Sequence, residues 1–308
     1  MYDCPPVLFL IFNRPEHTAR TLSAIRAAKP NRLYVAADGP RPSRPNDAAS
    51  CEATRAVIKQ VDWDCVVKTL FRESNLGCRH AVSQGITWFF EQEQEGIIVE
   101  DDIWLDQSFF SFAAEMLERY RHDPRVTTIA ACNLQPEGKK YDASYYFSAY
   151  NNVWGWAGWA RSWKKYSDDL EDLDMPAFNE TVDAMCPIPG ARSFWKKALL
   201  GVRNREIDSW AYIWLYTQWR TRGLTVTPSV NMMENIGFDS SATHTESEAG
   251  FEAALKASSL PMPLTYPDKV SQDIDADNYV SKNVFKIKSR SLLSKLNRWR
   301  KGEPYAWV

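Results

Sequence analysis

The stretch Gly96-Ile97-Ile98-Val99-Glu100-Asp101-Asp102 decides the fold class of this chain. Its first four residues form a short apolar run, which is typical of a buried β-strand, and three carboxylates follow at once. Ligands of open α/β sheets bind beyond the carboxyl ends of the strands, which is where these acids would lie. Adjacent carboxylates repel each other, and their oxygens suit a hard cation that also binds phosphate. The alternative is a solvated acidic turn.

Apolar runs and helical segments alternate on the amino-terminal side of this stretch. We predict strands at residues 7–12, 32–37, 64–71 and 96–99, and helices at residues 16–28, 48–61 and 75–90. Strands that alternate with helices imply a doubly wound, mainly parallel sheet with helices on both faces. The sequence therefore predicts an α/β fold.

The pattern changes on the carboxyl-terminal side. We predict further strands at residues 126–131, 145–150 and 224–228, helices near residues 162–166, 193–204 and 210–222, and a tryptophan-rich loop at residues 152–159. From residue 267 on, the sequence is interpreted as a tail outside the core.

The composition is that of an ordinary globular protein. Of the 308 residues, 44% are hydrophobic and 25% are charged, which allows a substantial core. The formal net charge of −2 gives no overall field that favours nucleic acid. The six cysteines form no Cys-x-x-Cys pair, so we expect reduced, mostly buried thiols. With no signal peptide and no apolar stretch of membrane-spanning length, we expect a protein that is cytoplasmic or peripheral on the cytoplasmic face of a membrane.

The order of elements resembles a known family. A strand leads into Asn13-Arg14-Pro15 and a helix; the second strand ends in Asp38; Asn75-Leu76-Gly77 opens a helix; and Glu100-Asp101-Asp102 follows. This order is similar to the GT-A fold of nucleotide-sugar glycosyltransferases, and within it to the N-acetylglucosaminyltransferase I type and to bacterial polysaccharide sugar transferases. The resemblance covers residues 5–245. We predict one GT-A domain at residues 1–265, with a nucleotide-binding half (1–105) and an acceptor half (106–265), followed by a basic amphipathic tail (266–308).

The resemblance assigns the acidic cluster to a sugar donor and its metal. Asp102 matches the last acid of the family motif and is expected to ligate Mn²⁺ or Mg²⁺, which neutralises charge on a diphosphate leaving group. Asp101 is expected near the ribose or the sugar hydroxyls. Glu100 is expected to contact the donor sugar, since carboxylates accept hydrogen bonds well from hydroxyl groups.

Residues after the first two strands are expected to line the nucleotide pocket. Phe12, Asn13 and Arg14 follow the first strand, and Arg14 can pair with a phosphate or stack on a base. The resemblance implies that Asp38 accepts the imino N–H of uracil, which favours UDP as the carrier. The alternative for Asp38 is a turn-initiating role before Gly39.

The start of the third helix carries two further candidates. Arg79 and His80 are predicted to face the diphosphate, helped by the positive end of the helix. A surface arginine is the alternative for Arg79.

The segment Asn152-Val153-Trp154-Gly155-Trp156-Ala157-Gly158-Trp159 interleaves tryptophan with glycine. Glycine lets the backbone approach a ligand closely, and tryptophan rings offer flat faces to sugars. The resembling enzymes carry a Gly-Trp segment near the donor sugar and the acceptor, which implies that Trp156 contacts the donor. The alternative is a loop that packs in the core.

The catalytic base is expected at the start of a later helix. Asp208-Ser209-Trp210 resembles the family's acid before tryptophan, which takes a proton from the acceptor hydroxyl. Asp208 is therefore the candidate base and Glu206 the alternate. The alternative for Asp208 is a helix N-cap.

A glycine- and hydroxyl-rich segment at residues 235–245 is predicted to close as a flap on the diphosphate. His244 within it is a candidate ligand for the metal or a phosphate, or alternatively a structural histidine.

The tail is basic and amphipathic, and a helix of this kind is typical of attachment to an anionic membrane surface. The alternative is a packed C-terminal helix. Its apolar residues include Phe285, Leu292, Leu293 and Trp299.

The sequence thus predicts a metal-dependent, inverting glycosyltransferase that moves a sugar from a UDP-sugar to a hydroxyl of a glycan or glycolipid acceptor, as in bacterial surface polysaccharide synthesis. One alternative is a nucleotidyltransferase that acts on sugar phosphates. Such an enzyme normally needs a glycine-rich loop bearing Lys or Arg after the first strand, and Asn13-Arg14-Pro15 lacks it. A second alternative is a non-catalytic glycan-binding module, which would not need the acidic cluster.

Overall fold

Four parallel strands form the amino-terminal half of an eight-stranded sheet. They are β1 (Val7–Ile11), β2 (Arg32–Ala37), β3 (Val66–Phe71) and β4 (Glu95–Glu100), in the order β3-β2-β1-β4. The connecting helices are α1 (Pro15–Ala28), α2 (Asp47–Ala56) and α3 (Gly77–Phe90). This computed structural model describes residues 3–168, 170, 173–186, 188–237 and 255–287. The predicted α/β class is confirmed.

The central strands are buried on both faces. Val7 and Phe9 of β1 pack in the larger of two apolar cores, with α1 and α4 (Gln107–Tyr120), whereas Leu8 and Leu10 pack in the smaller core, with α3. Because successive side chains of a strand point to opposite faces, a strand covered on both faces must be apolar throughout. The continuous apolar runs of the sequence therefore correspond to helices on both faces of the sheet.

The carboxyl-terminal half of the sheet is mixed. β8 (Trp156–Trp159) lies antiparallel between β4 and β6 (Val126–Ala130), and β9 (Leu224–Pro228) joins β6 to the edge strand β7 (Tyr145–Ser148). The predicted loop at residues 152–159 thus ends in a central strand. Apolar residues bury both faces of β8, and Gly158 keeps its backbone close to the carbonyl of Thr127.

The remaining elements surround this sheet. A separate, two-stranded antiparallel sheet is formed by β5 (Ile103–Leu105) and β10 (Met233–Asn235). The other helices are α5 (Ala160–Trp163), α6 (Met175–Met185), α7 (Pro189–Arg203), α8 (Trp210–Arg220) and α9 (Ile274–Tyr279). None of the described helices has both the length and the apolar composition that crossing a bilayer would require.

The segment after residue 254 packs against the sheet. Leu264, Val280 and Ile287 belong to the larger core. Asp277 is 1% exposed and accepts hydrogen bonds from the hydroxyl of Ser148 at 2.5 Å and from the amide of Ala149. The described part of the predicted tail, residues 266–287, is therefore a packed part of the domain, and a separate tail can begin only at residue 288 or beyond.

Candidate active site

Four segments that carry candidate site residues meet at one edge of the sheet. Because β1, β2 and β4 run parallel, residues 12–14, Asp38 and residues 100–102 all follow the same ends of their strands. β8 runs the other way, with Trp156 paired to Ile98, so the preceding residues 151–155 lie at this edge as well. The sheet thus brings together segments that are far apart in sequence.

Arg14 lies against the two aspartates that follow β4. Its Nη1 donates to Oδ2 of Asp102 at 3.1 Å, and its Nε is 3.9 Å from Oδ1 of Asp101. Burial alone would lower the pKa of Arg14, but the charges of Asp101, Asp102 and Glu100 outweigh it and raise this pKa. Arg14 is thereby held charged at the centre of the edge.

Asp101 also ties the strands together. Its Oδ2 accepts the backbone N–H of Phe12 at 3.0 Å, and its carbonyl accepts the hydroxyl of Thr21 at 2.9 Å. These contacts join the end of β4 to the end of β1 and to α1. Asp101 therefore has a structural role, because it holds these three elements together.

The acidic cluster, when fully ionised, carries more negative charge than Arg14 can balance. Burial, then repulsion by Asp102 and Asp101, raises the pKa of Glu100. Burial and Asp102 likewise raise the pKa of Asp101. Such a site gains from a cation or from hydroxyl donors, because either would stabilise the charged carboxylates.

The carboxylate of Asp38 accepts hydrogen bonds from neighbouring residues of the protein. It accepts the backbone N–H groups of Gly39, Leu76 and Gly77 at 2.9 to 3.2 Å, and the side-chain amide of Asn75 at 2.9 Å. These bonds fasten the loop before α3 to the end of β2. They take up both oxygens, so an interaction with uracil would have to replace part of this set.

Two residues that the sequence analysis did not single out lie beside Phe12 and Asn13. The guanidinium of Arg41 stacks over the ring of Phe12, 5.2 Å from its centroid, and donates through Nε to Asp47 at 2.5 Å. Asn13 donates to the same carboxylate at 3.0 Å. Since 34 residues separate Asn13 from Asp47, only the fold could reveal this group.

A cleft of about 410 Å³ opens beside the start of α3. It is lined by Arg79, His80, Asp168, Arg205, Ile207 and Asp208. Arg79 donates to the backbone carbonyl of Asp168, and Nδ1 of His80 lies 2.7 Å from the carboxylate of Asp168. Both predicted phosphate-facing residues are thus held by Asp168 in this structure.

Asp208 belongs to this cleft, and its charge acts on the same neighbouring thiol as the charges of the acidic cluster. The pKa of the Cys78 thiol is raised to about 12 by burial and then by the charges of Glu100, Asp208, Asp102 and Asp38. Acids that follow β2, acids at the end of β4 and the acid that precedes α8 thus all act electrostatically on one thiol at the start of α3.

Asp208 is not the helix cap that its position suggested. The N-cap of α8 is Ser209, whose hydroxyl accepts the N–H of Tyr212 at 3.4 Å. Asp208 is exposed in the cleft. Its carboxylate is therefore available to act on a ligand, which an N-cap would not be.

Trp156 lies in the core. Its ring is 1% exposed and packs against the rings of Trp163, Trp210 and Trp214, with centroids 5.9 to 6.4 Å away. No flat face is presented to a ligand in this arrangement. Trp154, half-buried at the site edge, is the tryptophan nearer to solvent.

The start of the predicted flap rests on the ion pair. The N–H of Ile236 donates to the carbonyl of Asp102 at 2.8 Å. A side chain at Gly237 would come within 2.8 Å of Arg14 Nη1 and of Asp102 Oδ2. Glycine is therefore required for this close approach. His244 lies outside the described residues.

The described residues hold no cluster of three or more histidine, cysteine or acidic side chains poised for a metal ion. A single carboxylate is nevertheless compatible with Mg²⁺, which is commonly held by one or two carboxylates together with water and substrate phosphates. Asp102 fits that role by its oxygen donors and its place at the edge.

Comparison with known proteins gives no family for this chain: no family model matches it, and no curated protein does. Several solved structures are similar. HddC from Yersinia pseudotuberculosis is 12% identical, over 57% of this chain and 85% of that one, with a TM-score of 0.34. 4-Diphosphocytidyl-2C-methyl-D-erythritol synthase from Anaerococcus prevotii is 8% identical, over 53% and 77%, with a TM-score of 0.33. A UDP-glucose pyrophosphorylase bound to UDP-glucose is 10% identical, over 54% and 81%, with a TM-score of 0.32.

Proposed function

We propose that this protein is a glycosyltransferase of the GT-A type that uses a nucleotide sugar, with UDP favoured as the carrier. The observation that carries the proposal is that Asp208 lines the cleft beside the start of α3, where its charge and those of the acidic cluster act on the same thiol, that of Cys78. The cluster offers oxygen ligands and negative charge to a metal ion that would in turn bind the diphosphate. The exposed carboxylate of Asp208 offers a base on the same side of the site.

In this mechanism Asp208 takes the proton of the acceptor hydroxyl as its oxygen attacks the donor sugar. A single displacement of this kind inverts the anomeric configuration. Arg14 positions Asp102 and lies close enough to the edge to meet a phosphate oxygen. A bound Mn²⁺ or Mg²⁺, held by Asp102, would act as a Lewis acid on the diphosphate leaving group.

The base of the nucleotide would lie toward Phe12. Arg41 and Phe12 form a stacked pair at the end of β1, and Asn13 and Asp47 fix their surroundings. The preference for UDP still depends on the family resemblance, because both oxygens of Asp38 already accept hydrogen bonds from the backbone N–H groups before and at the start of α3.

The short connection between β1 and α1 argues against a nucleotidyltransferase. β1 ends at Ile11 and α1 begins at Pro15, so only residues 12–14 connect them. This leaves no space for a glycine-rich loop that would wrap a triphosphate. A glycan-binding module is disfavoured as well, because such a module needs exposed rings and Trp156 is buried.

The decisive test is calorimetry with UDP in the presence of Mn²⁺. We expect the wild-type protein to bind, and Asp102→Ala to lose metal-dependent binding while it keeps its melting temperature. Asp106→Ala is a matched control, because Asp106 caps α4 on the same stretch of chain and lies outside the cluster. Unchanged affinity in Asp102→Ala would remove the metal-site assignment.

Products separate the two transferase chemistries. With a nucleotide sugar, a glycosyltransferase releases the nucleoside diphosphate, whereas a nucleotidyltransferase run in reverse consumes pyrophosphate and releases a nucleoside triphosphate. Detection of the triphosphate would favour the second chemistry.

Membrane attachment through the C-terminal tail remains a proposal that concerns residues 288–308, which lie outside the described residues. Phe285 does not contribute to it, because its ring packs against Tyr150 and Trp195 inside the domain. Removal of residues 288–308 should therefore abolish sedimentation with anionic vesicles at low salt and spare UDP binding. If the full-length protein stays in the supernatant, the proposal fails.

A further inference from the structure

The cleft beside α3 carries an arginine that the proposed chemistry does not use. Arg79 and His80 are held by Asp168 on one wall. Arg205 comes from a different part of the fold, the connection between α7 and α8, as does Asp208. Arg205 and Asp208 are the two residues of opposite charge that this connection places in the lining of the cleft.

The backbone at Arg205 is one that favours glycine. Arg205 has φ of +61°, directly after the C-cap of α7. The N–H of Glu206 bonds to the carbonyl of Gly201 at 2.9 Å, and the N–H of Arg205 bonds to that of Val202 at 3.1 Å. This pattern is a Schellman motif, whose left-handed position is usually glycine because other residues are strained there.

The strain alone does not identify a site. Lys29 and Arg222 adopt the same left-handed backbone after α1 and α8, where a basic side chain also suits the negative end of a helix. Both lie just before parallel strands and thus at the opposite edge of the sheet. Arg205 differs because it lines the same cleft as Asp208.

We propose that Arg205 binds an anionic group, a carboxylate or a phosphate, on the acceptor whose hydroxyl faces Asp208. This inference rests on the proposed transferase function. A ligand with an anionic group and a hydroxyl matches the neighbouring guanidinium and carboxylate of the α7–α8 connection. The guanidinium binds planar oxyanions in a two-point arrangement, which also fixes the orientation of the ligand.

Three hexosides that differ only at C6 test the proposal: methyl β-D-glucuronide, methyl β-D-glucoside 6-phosphate and methyl β-D-glucoside. Their dissociation constants are measured by NMR titration. We expect the wild-type protein to bind at least one of the anionic probes more tightly than the neutral one. Preference for the carboxylate indicates an acidic sugar as the acceptor, and preference for the phosphate indicates a phosphate-bearing acceptor.

Arg205→Gly provides a test that a structural role would not pass. We expect it to weaken binding of the preferred anionic probe by about tenfold, as for the loss of one charge-assisted hydrogen bond, and to leave the neutral probe unaffected. The melting temperature should stay the same or rise, because glycine relieves the strained backbone. Arg205→Lys should keep the preference for the anionic probe.

Lys29→Gly is the control, since it makes the same backbone change far from the cleft and should leave all three dissociation constants unchanged.

The proposal is overturned if the wild-type protein shows no preference for an anionic probe, or if Arg205→Gly retains that preference. UDP binding in the presence of Mn²⁺ distinguishes failure of the Arg205 proposal from failure of the transferase proposal. If UDP binds and the preference is absent, only the role of Arg205 fails; if UDP does not bind, the transferase function fails.

Discussion

At the scale of single residues, the structure separates carboxylates with different roles. Asp38 fastens a loop, and Asp101 joins two strands through the N–H of Phe12. Asp102 contacts Arg14, and Asp208 stands exposed in the cleft. The difference arises from what each oxygen contacts, because a carboxylate whose acceptor sites are filled by backbone N–H groups is poorly available to a ligand.

Removal of the proposed base should affect turnover far more than binding. We expect Asp208→Asn to lower kcat by a factor on the order of 10² or more with nearly unchanged donor affinity, because a base acts in the transition state. Single-turnover kinetics with the best donor measure this effect. Glu206→Gln is the matched control and should retain turnover; a loss there with normal turnover in Asp208→Asn would transfer the role to Glu206.

The stereochemistry of the product tests the same residue independently. If Asp208 acts as a base in a direct displacement, the product has the opposite anomeric configuration to the donor. NMR of the first product formed measures this configuration. Retention would contradict a single displacement, even if Asp208 proved essential.

At the scale of elements, β8 shows how one strand shapes the site from within the core. Trp156 faces the smaller core, where Trp163, Trp210 and Trp214 surround it, and Trp159 faces the larger core. The packing of Trp156 against Trp210 joins β8 to the start of α8. Since Asp208 lies two residues before Trp210, this contact helps to position the proposed base.

Truncation of the Trp156 side chain should therefore destabilise the folded protein rather than remove a contact with the donor. We expect Trp156→Ala to lower the free energy of unfolding by about 3–5 kcal/mol, the usual cost of removing a buried tryptophan. Urea denaturation measures this loss, and Trp156→Phe serves if the alanine variant does not fold. Trp154→Ala, at a half-buried position, should cost clearly less. Normal stability combined with lost donor binding in Trp156→Ala would instead support the contact with the donor sugar.

At the scale of the whole molecule, a buried acid connects the C-terminal segment to the sheet. Asp277 accepts hydrogen bonds from Ser148, Ala149 and Gln272. Burial is the largest effect on it and raises its pKa from 3.8 to about 6, despite those hydrogen bonds. The folded protein therefore holds the proton of Asp277 more tightly than the unfolded chain does.

This shift predicts a pH dependence of stability. A carboxyl whose pKa is raised in the folded state stabilises the fold fully below its unfolded pKa, near 4, and loses that contribution as the pH rises through about 6. The free energy of unfolding of the wild-type protein, minus that of Asp277→Asn, should thus fall between pH 4 and pH 7. Urea titrations at each pH measure it, and the subtraction cancels the other acids. A difference that is flat or rises with pH would show that the pKa of Asp277 is not raised.

The sequence by itself determined the parallel half of the fold and the place of the acidic cluster. Both depend on local patterns, since apolar runs alternate with helical segments and Glu100–Asp102 directly follows one such run. It did not reveal that residues 156–159 form a central strand, because four residues rich in tryptophan and glycine carry no clear period. It also placed the start of the tail too early, at residue 266.

Only the tertiary structure decided which side chains meet. Arg14 and Asp102 are 88 residues apart, and Asn13 and Asp47 are 34 residues apart, yet each pair forms a hydrogen bond. The packing of four tryptophans put Trp156 in the core, and Ser209 rather than Asp208 became the cap of α8. Contacts of this kind depend on how strands pair and how helices cover the sheet, and residue types along the chain do not specify either one. The chemistry at the ends of strands is local, whereas the partners of each group are set by the fold.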